Sequence, residues 1–137
     1  MNYMSMFQWQ QEYSVGYPQI DEQHKRLFEL ADELHAAMLA GKGKEILGKI
    51  LGSLVAYTKA HFATEERLMQ AHQYPDYAVH KAAHDGLTSQ VIKFQKDFER
   101  GRAAMSVDLL QFLKEWLTHH IGETDRKIAS FLKARAA

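Results

Sequence analysis

The sequence predicts an all-α protein: an up-down-up-down antiparallel four-helix bundle with an extended N-terminal arm, closed as one domain over residues 1–137. Three observations lead there. Four long segments carry apolar residues at alternating steps of three and four, the period of a helix with one buried face. Short breaks bearing glycine or proline separate them, so successive helices should be antiparallel neighbours. The composition, 46% hydrophobic and 25% charged over 137 residues, suits a single globular domain with a real core.

The arm spans residues 1–18. Phe7, Trp9, Tyr13 and Tyr17 make it too aromatic for a free tail, so it should pack along the outside of the bundle until Gly16 and Pro18 break it. The first helix is expected over 19–40, with Leu27, Phe28, Ala31, Leu34 and Met38 as its stripe. Gly41-Lys42-Gly43 stops it. The second is expected over 44–71, facing inward with Ile46, Leu47, Ile50, Leu51, Leu54 and Thr58. The same face then meets His61, Glu65, Leu68 and Met69. Gln73-Tyr74-Pro75-Asp76 is a natural reversal, and Pro75 suits the first position of a third helix over 75–100. Its seam is Tyr77, His80, His84, Leu87, Val91, Phe94 and Phe98. Gly101 ends it, and Ser106 is the expected N-cap of a fourth helix over 106–134. That seam reads Leu110, Leu113, Leu117, His120, Thr124, Ile128 and Phe131.

Composition also excludes several classes. Basic and acidic residues both number 17, so there is no electrostatic footprint of a nucleic-acid binder. The absence of cysteine removes disulfides, zinc ribbons and thiolate nucleophiles. The N-terminus lacks the basic and long apolar regions of a signal peptide, and no stretch approaches the roughly 20 apolar residues of a membrane span. A cytoplasmic location is the default expectation.

The unusual feature is eight histidines. Residues four apart on a helix are separated by about 400°, so His61 with Glu65, and His80 with His84, each share a face one turn apart. His24 and His120 fall on the inward stripes of the other two helices. One histidine on an apolar stripe is ordinarily a satisfied core residue. Five on four facing helices, with an inward glutamate, would be a costly polar cluster unless they bind metal. Asp125 is out of phase: five residues after His120 is about 500° in a regular helix, about 140° away. It could join the cluster only through a local distortion, and a π-type bulge around Gly122 would supply one. His35 lies three turns from His24, His72 sits at a helix end, and His119 points about 100° from His120. These three are expected as bystanders, and Glu66 as an outer residue rather than a ligand.

At these residues the chain resembles the hemerythrin family, specifically its single-domain bacteriohemerythrins. The resemblance rests on Trp9 and Val15-Gly16 in the arm, IDEQHKRLFEL from Ile20 and HFATEERLM from His61. It continues with YAVHKAAH from Tyr77 and WLTHHIGETD from Trp116. It implies a centre of two iron ions with a bridging oxo or hydroxo group. His80, His84 and His120 would bind one iron and His24 and His61 the other, with Glu65 and Asp125 bridging. It also implies an O2 pocket of Phe62, Trp116, Leu117 and Ile121, although ordinary core would equally use such residues.

Two six-coordinate irons offer twelve positions. The five imidazoles, two bridging carboxylates and bridging oxygen fill eleven, leaving one open on the iron with two histidines. An open position marks a reactive rather than a structural site. Neutral imidazoles disfavour highly oxidised iron and so favour reversible capture of O2. The resemblance places O2 end-on at that position, taking a proton from the bridging hydroxide. The leading expectation is thus a non-enzymatic O2 carrier, store or delivery protein, with an unknown O2-consuming recipient. A di-iron enzyme acting on peroxide or nitric oxide would need a proton donor that the pocket candidates lack. A sensor would need an output domain or partner surface, and a zinc-binding structural bundle would have no use for an open position.

Overall fold

The structure of the protein, a computed structural model, describes residues 7–101 and 107–136, without the side chains of 107, 108, 120–122 and 136. Its helices are α1 (Pro18–Leu39), α2 (Lys44–Ala71), α3 (Tyr77–Glu99), α4 (Val107–His119) and α5 (Arg126–Ala136). A π-helical turn, His120–Asp125, joins the last two, so that α4, the turn and α5 form the fourth rod of a four-helix bundle. The described residues contain no strand. α1 packs on α2 and α4, and α2 packs on α3.

Each described reversal has a backbone cause. At the end of α1, Lys42 N donates to Ala37 O and Gly41 N to Met38 O, with Gly41 at φ 70°. That is the left-handed helix stop for which glycine is suited. α2 ends the same way: Tyr74 N donates to Met69 O and Gln73 N to Gln70 O, but Gln73 occupies the left-handed position, at φ 56°. The third helix starts two residues later than the sequence suggests. Pro75 falls inside a turn closed by Tyr77 N to Tyr74 O, at 3.2 Å, and Asp76 caps the helix. Proline at the second position of a four-residue turn needs only its fixed φ. The expected cap at Ser106 lies outside the described residues.

The arm is described from Phe7 onward. Phe7 is buried, edge-on to His35, and Tyr13 stacks on Phe28 at 5.2 Å between ring centres. A 3-10 turn at Gln11–Tyr13 leads to an anchor on α1: Ser14 Oγ and Val15 N both donate to the Asp21 carboxylate, at 2.6 and 2.8 Å. Residues 1–6 of the arm lie outside the described residues.

Two stripe assignments change. Ile46 is 46% exposed, because it lies in the first turn of α2 and the buried face begins only at Leu51. In the fourth rod, Thr124 and Phe131 are only partly buried, whereas Asp125 and Leu132 are buried. The π turn adds one residue to the helix, so the buried face after it moves toward Asp125, Ala129 and Leu132, although Ile128 stays buried.

Three apolar clusters result among the described residues: two flank a polar layer, and Leu51, Val55 and Phe98 form a smaller third. Leu27, Leu54, Phe62, Leu113, Trp116 and Leu117 belong to the larger. Ile20, Met69, Ile128 and Leu132 belong to the other. His24, Glu65 and Asp125 lie between them in sequence on three rods, His61 adjoins Phe62 one turn before Glu65, and His80 and His84 enter from α3.

Candidate metal centre

Six of the seven expected ligands have described side chains, and all six are buried: His24, His61, Glu65, His84 and Asp125 at 0–1% exposure and His80 at 5%. They form two groups that share a carboxylate. His24, His61, Glu65 and Asp125 make one, and His80, His84 and Asp125 the other. Within each group one ligand atom per residue lies within 4.8 Å of the rest. The seventh expected ligand, His120, has a side chain outside the described residues. Its backbone opens the π turn.

That turn brings Asp125 into the site. With hydrogen bonds running from i to i+5, positions 120 and 125 fall in line, which the regular helical period forbids. Asp125 Oδ2 is 2.8 Å from His24 Nε2 and 3.3 Å from His61 Nε2, and Oδ1 is 3.6 Å from His80 Nε2. Glu65 spans the two groups in the same way. Its Oε1 is 3.1 Å from His61 Nε2 and 3.4 Å from His84 Nε2. Both carboxylates therefore face nitrogens from both groups, as bridging ligands must.

The donor set fits a pair of cations. Among the described residues, neither oxygen of Glu65 takes a hydrogen bond, although both are buried. An unneutralised buried carboxylate is costly. Protonation of the imidazoles is the metal-free answer to that cost. Burial opposes the charge on His61, but Glu65 and Asp125 outweigh it and raise its pKa to about 10. His84 is raised for the same reason, with Glu65 and then Glu66 overcoming burial. Burial would push the Asp125 pKa up, yet hydrogen bonds from His24, His61 and His80 hold it well below the usual carboxylate range. A metal ion would supply the same neutralisation without protons.

Two further residues complete the layer. Gln23 Oε1 is 2.7 Å from His61 Nδ1, and Glu66 Oε2 is 2.9 Å from His84 Nδ1. Glu66, expected as an outer residue, is part-buried against His84, and neither its role nor that of Gln23 is read from the sequence. The available signal was adjacency: each sits beside an expected ligand, His24 or Glu65. His35 packs against Phe7, His72 caps α2, and exposed His119 pairs with Glu123 at 3.5 Å.

The expected pocket residues Phe62, Trp116 and Leu117 are buried in the larger cluster. Phe62 stacks on His84 at 3.9 Å and 5°, and meets Trp116 edge-on at 5.9 Å. The side chain of Ile121 lies outside the described residues.

Residues 15–132 match the hemerythrin HHE cation binding domain. The chain is 38% identical to a bacteriohemerythrin of Methylococcus capsulatus, covering 88% of this chain and 90% of that one. It is 34% identical to that of Stenotrophomonas maltophilia, over 96% and 84%. A solved wild-type hemerythrin superposes with a TM-score of 0.82 at 33% identity, covering 96% of this chain and 97% of its own. A buried layer in which two carboxylates span two histidine groups, on a bundle of this topology and with this similarity, places the chain in the hemerythrin family of di-iron, oxygen-binding proteins.

Proposed function

We propose that the protein binds O2 reversibly, as a carrier, store or delivery protein, at two irons held by His24, His61, Glu65, His80, His84, His120 and Asp125. The observation that carries this reading is the double span of Glu65 and Asp125 across both histidine groups. When bound, the irons supply the redox chemistry of O2 capture. The chain's own residues do the rest. Five neutral imidazoles hold the metal with little added charge, and the two carboxylates offset part of its charge inside an apolar shell. Phe62, Trp116, Leu117 and Ile121 keep water and protons from the site, without which reduced oxygen cannot depart as hydrogen peroxide and leave the irons oxidised.

An enzyme would need a proton donor beside the site. No Lys, Tyr or Ser side chain is among the expected pocket residues, which favours a carrier. The remaining elements of this reading are a single domain over residues 1–137, a cytoplasmic location and no nucleic-acid partner. Among the described residues, no helix is long and apolar enough to cross a membrane. Gas release tests the reading. Ferrous protein saturated with O2 and then swept with argon should return close to one O2 per iron pair. Net consumption of O2 sustained by added reductant would make the protein an enzyme instead.

A further inference from the structure

We propose that Gln23 and Glu66 are positioning residues that lock the tautomers of His61 and His84 and make the two metal subsites electronically unlike. The proposal rests on His61 and His84 being ligands. The hydrogen-bond chain at His61 can be followed proton by proton. Thr64 Oγ1 donates to Ala60 O at 3.1 Å, so its single proton is used. It therefore meets Gln23 Nε2, at 3.2 Å, as an acceptor. That fixes the amide: Nε2 donates to Thr64, and Oε1 faces His61 Nδ1 at 2.7 Å. An amide oxygen can only accept, so His61 Nδ1 must carry the proton. In the neutral ring that binds metal, Nε2 is then the nitrogen with the lone pair, and it faces Glu65 and Asp125. A backbone carbonyl on α2 thus sets the metal-binding state of a ring through two intervening side chains.

His84 reaches the same tautomer by another route. Glu66 Oε2 accepts from Nδ1 at 2.9 Å, and a carboxylate needs no orienting partner because both its oxygens accept. Lys81 Nζ, 3.5 Å from Glu66 Oε1, steadies it from the solvent side. The two locks differ in charge. A full carboxylate behind His84 pushes electron density into its ring and stabilises the more oxidised metal. The neutral amide behind His61 does so far less. At the other ring of that subsite, His24 Nδ1 is buried without a hydrogen-bond partner among the described residues. The iron with only two histidines is therefore the poorer in electron density, and its partner is the richer.

Swapping the two groups in opposite directions tests this. Glu66→Gln keeps an acceptor for Nδ1 but removes the charge, and Gln23→Glu adds a charge. The midpoint potential of the iron pair should rise in Glu66→Gln and fall in Gln23→Glu, with two irons per chain in both. Glu66→Ala, which removes the acceptor, should weaken ferrous ion binding by about 10- to 100-fold. Circular dichroism of each metal-free variant establishes that it folds. Unmoved potentials, or shifts of the same sign in both, with two irons retained, would overturn the proposal. Two irons retained in His84→Ala would instead overturn the ligand assignment beneath it.

Discussion

His61 makes the pH behaviour of the metal-free protein explicit. Its folded pKa of about 10 lies above its ordinary value of 6.5. The stability it contributes is full below 6.5 and fades as the pH climbs to about 10. Asp125 has the opposite sign. Its folded pKa lies well below the ordinary 3.8, so its contribution is present above that value and lost as the pH falls through the folded one. From these two groups, the metal-free protein should be most stable between about pH 4 and 6.5. Metal binding runs against the same protons. Loading ferrous iron at pH 7 should release at least one proton per chain, and acid below about pH 6.5 should release iron. An indicator dye in weakly buffered solution reads the first, and loading with no proton release would contradict the raised His61.

Ligands and bystanders separate at the same scale. His84→Ala should lose most of its iron, whereas His35→Ala, His72→Ala and His119→Ala should keep two per chain, by elemental analysis of the four purified variants. Leu117, 1% exposed and on the turn before His120, guards the site if the pocket assignment holds. Leu117→Ala should cost about 2–5 kcal/mol in unfolding free energy. It should also speed the decay of the oxygenated absorption band in air, with both irons retained. An unchanged decay rate in the folded, iron-loaded variant would make Leu117 ordinary core. The burial of His24, His61, His80 and His84 was legible because helical phase alone puts them inward. The roles of Gln23 and Glu66 were not, because each depends on where a ring nitrogen of another helix arrives, and no single-helix period encodes that.

Among the elements, the π turn is the one on which the site depends. Its signature in the sequence was a conflict: His120 and Asp125 could share a site only if the helix broke its period. The conflict is visible in the sequence, but its consequence beyond Asp125 is not: a regular period puts Thr124 and Phe131 inward, where the structure buries Asp125 and Leu132. Deleting Gly122 would restore the regular period and leave Asp125 four residues after His120, about 400° on and so still on the same face. If the extra residue serves only to bring Asp125 into phase, such a variant should fold and keep two irons per chain, and loss of iron would show that the wider π turn itself is needed. The α2–α3 reversal gives a second, independent handle. Gln73 holds φ 56° where glycine carries no steric penalty. Gln73→Gly should therefore raise the unfolding free energy by about 1 kcal/mol. A lower melting temperature would mean that the Gln73 side chain makes up for its backbone strain.

At the scale of the whole molecule, a charged layer parts the two main apolar clusters of the bundle. The layer is a liability when empty of metal, since its carboxylates and rings must share protons inside a dry interior. Filled, it ties all four rods together. The bundle architecture was legible from the four stripes and the short breaks between them, since those patterns depend only on helical period and chain reversal. Everything then turns on whether the layer is a two-iron, O2-binding centre. The most direct measurement is the visible absorption spectrum of anaerobically reduced, iron-loaded protein, recorded before air, in air and after argon, with iron counted on the same sample. Two irons per chain, with a charge-transfer band that appears with O2 and disappears under argon over repeated cycles, is the expected result. A single iron, or a spectrum indifferent to O2, would contradict it.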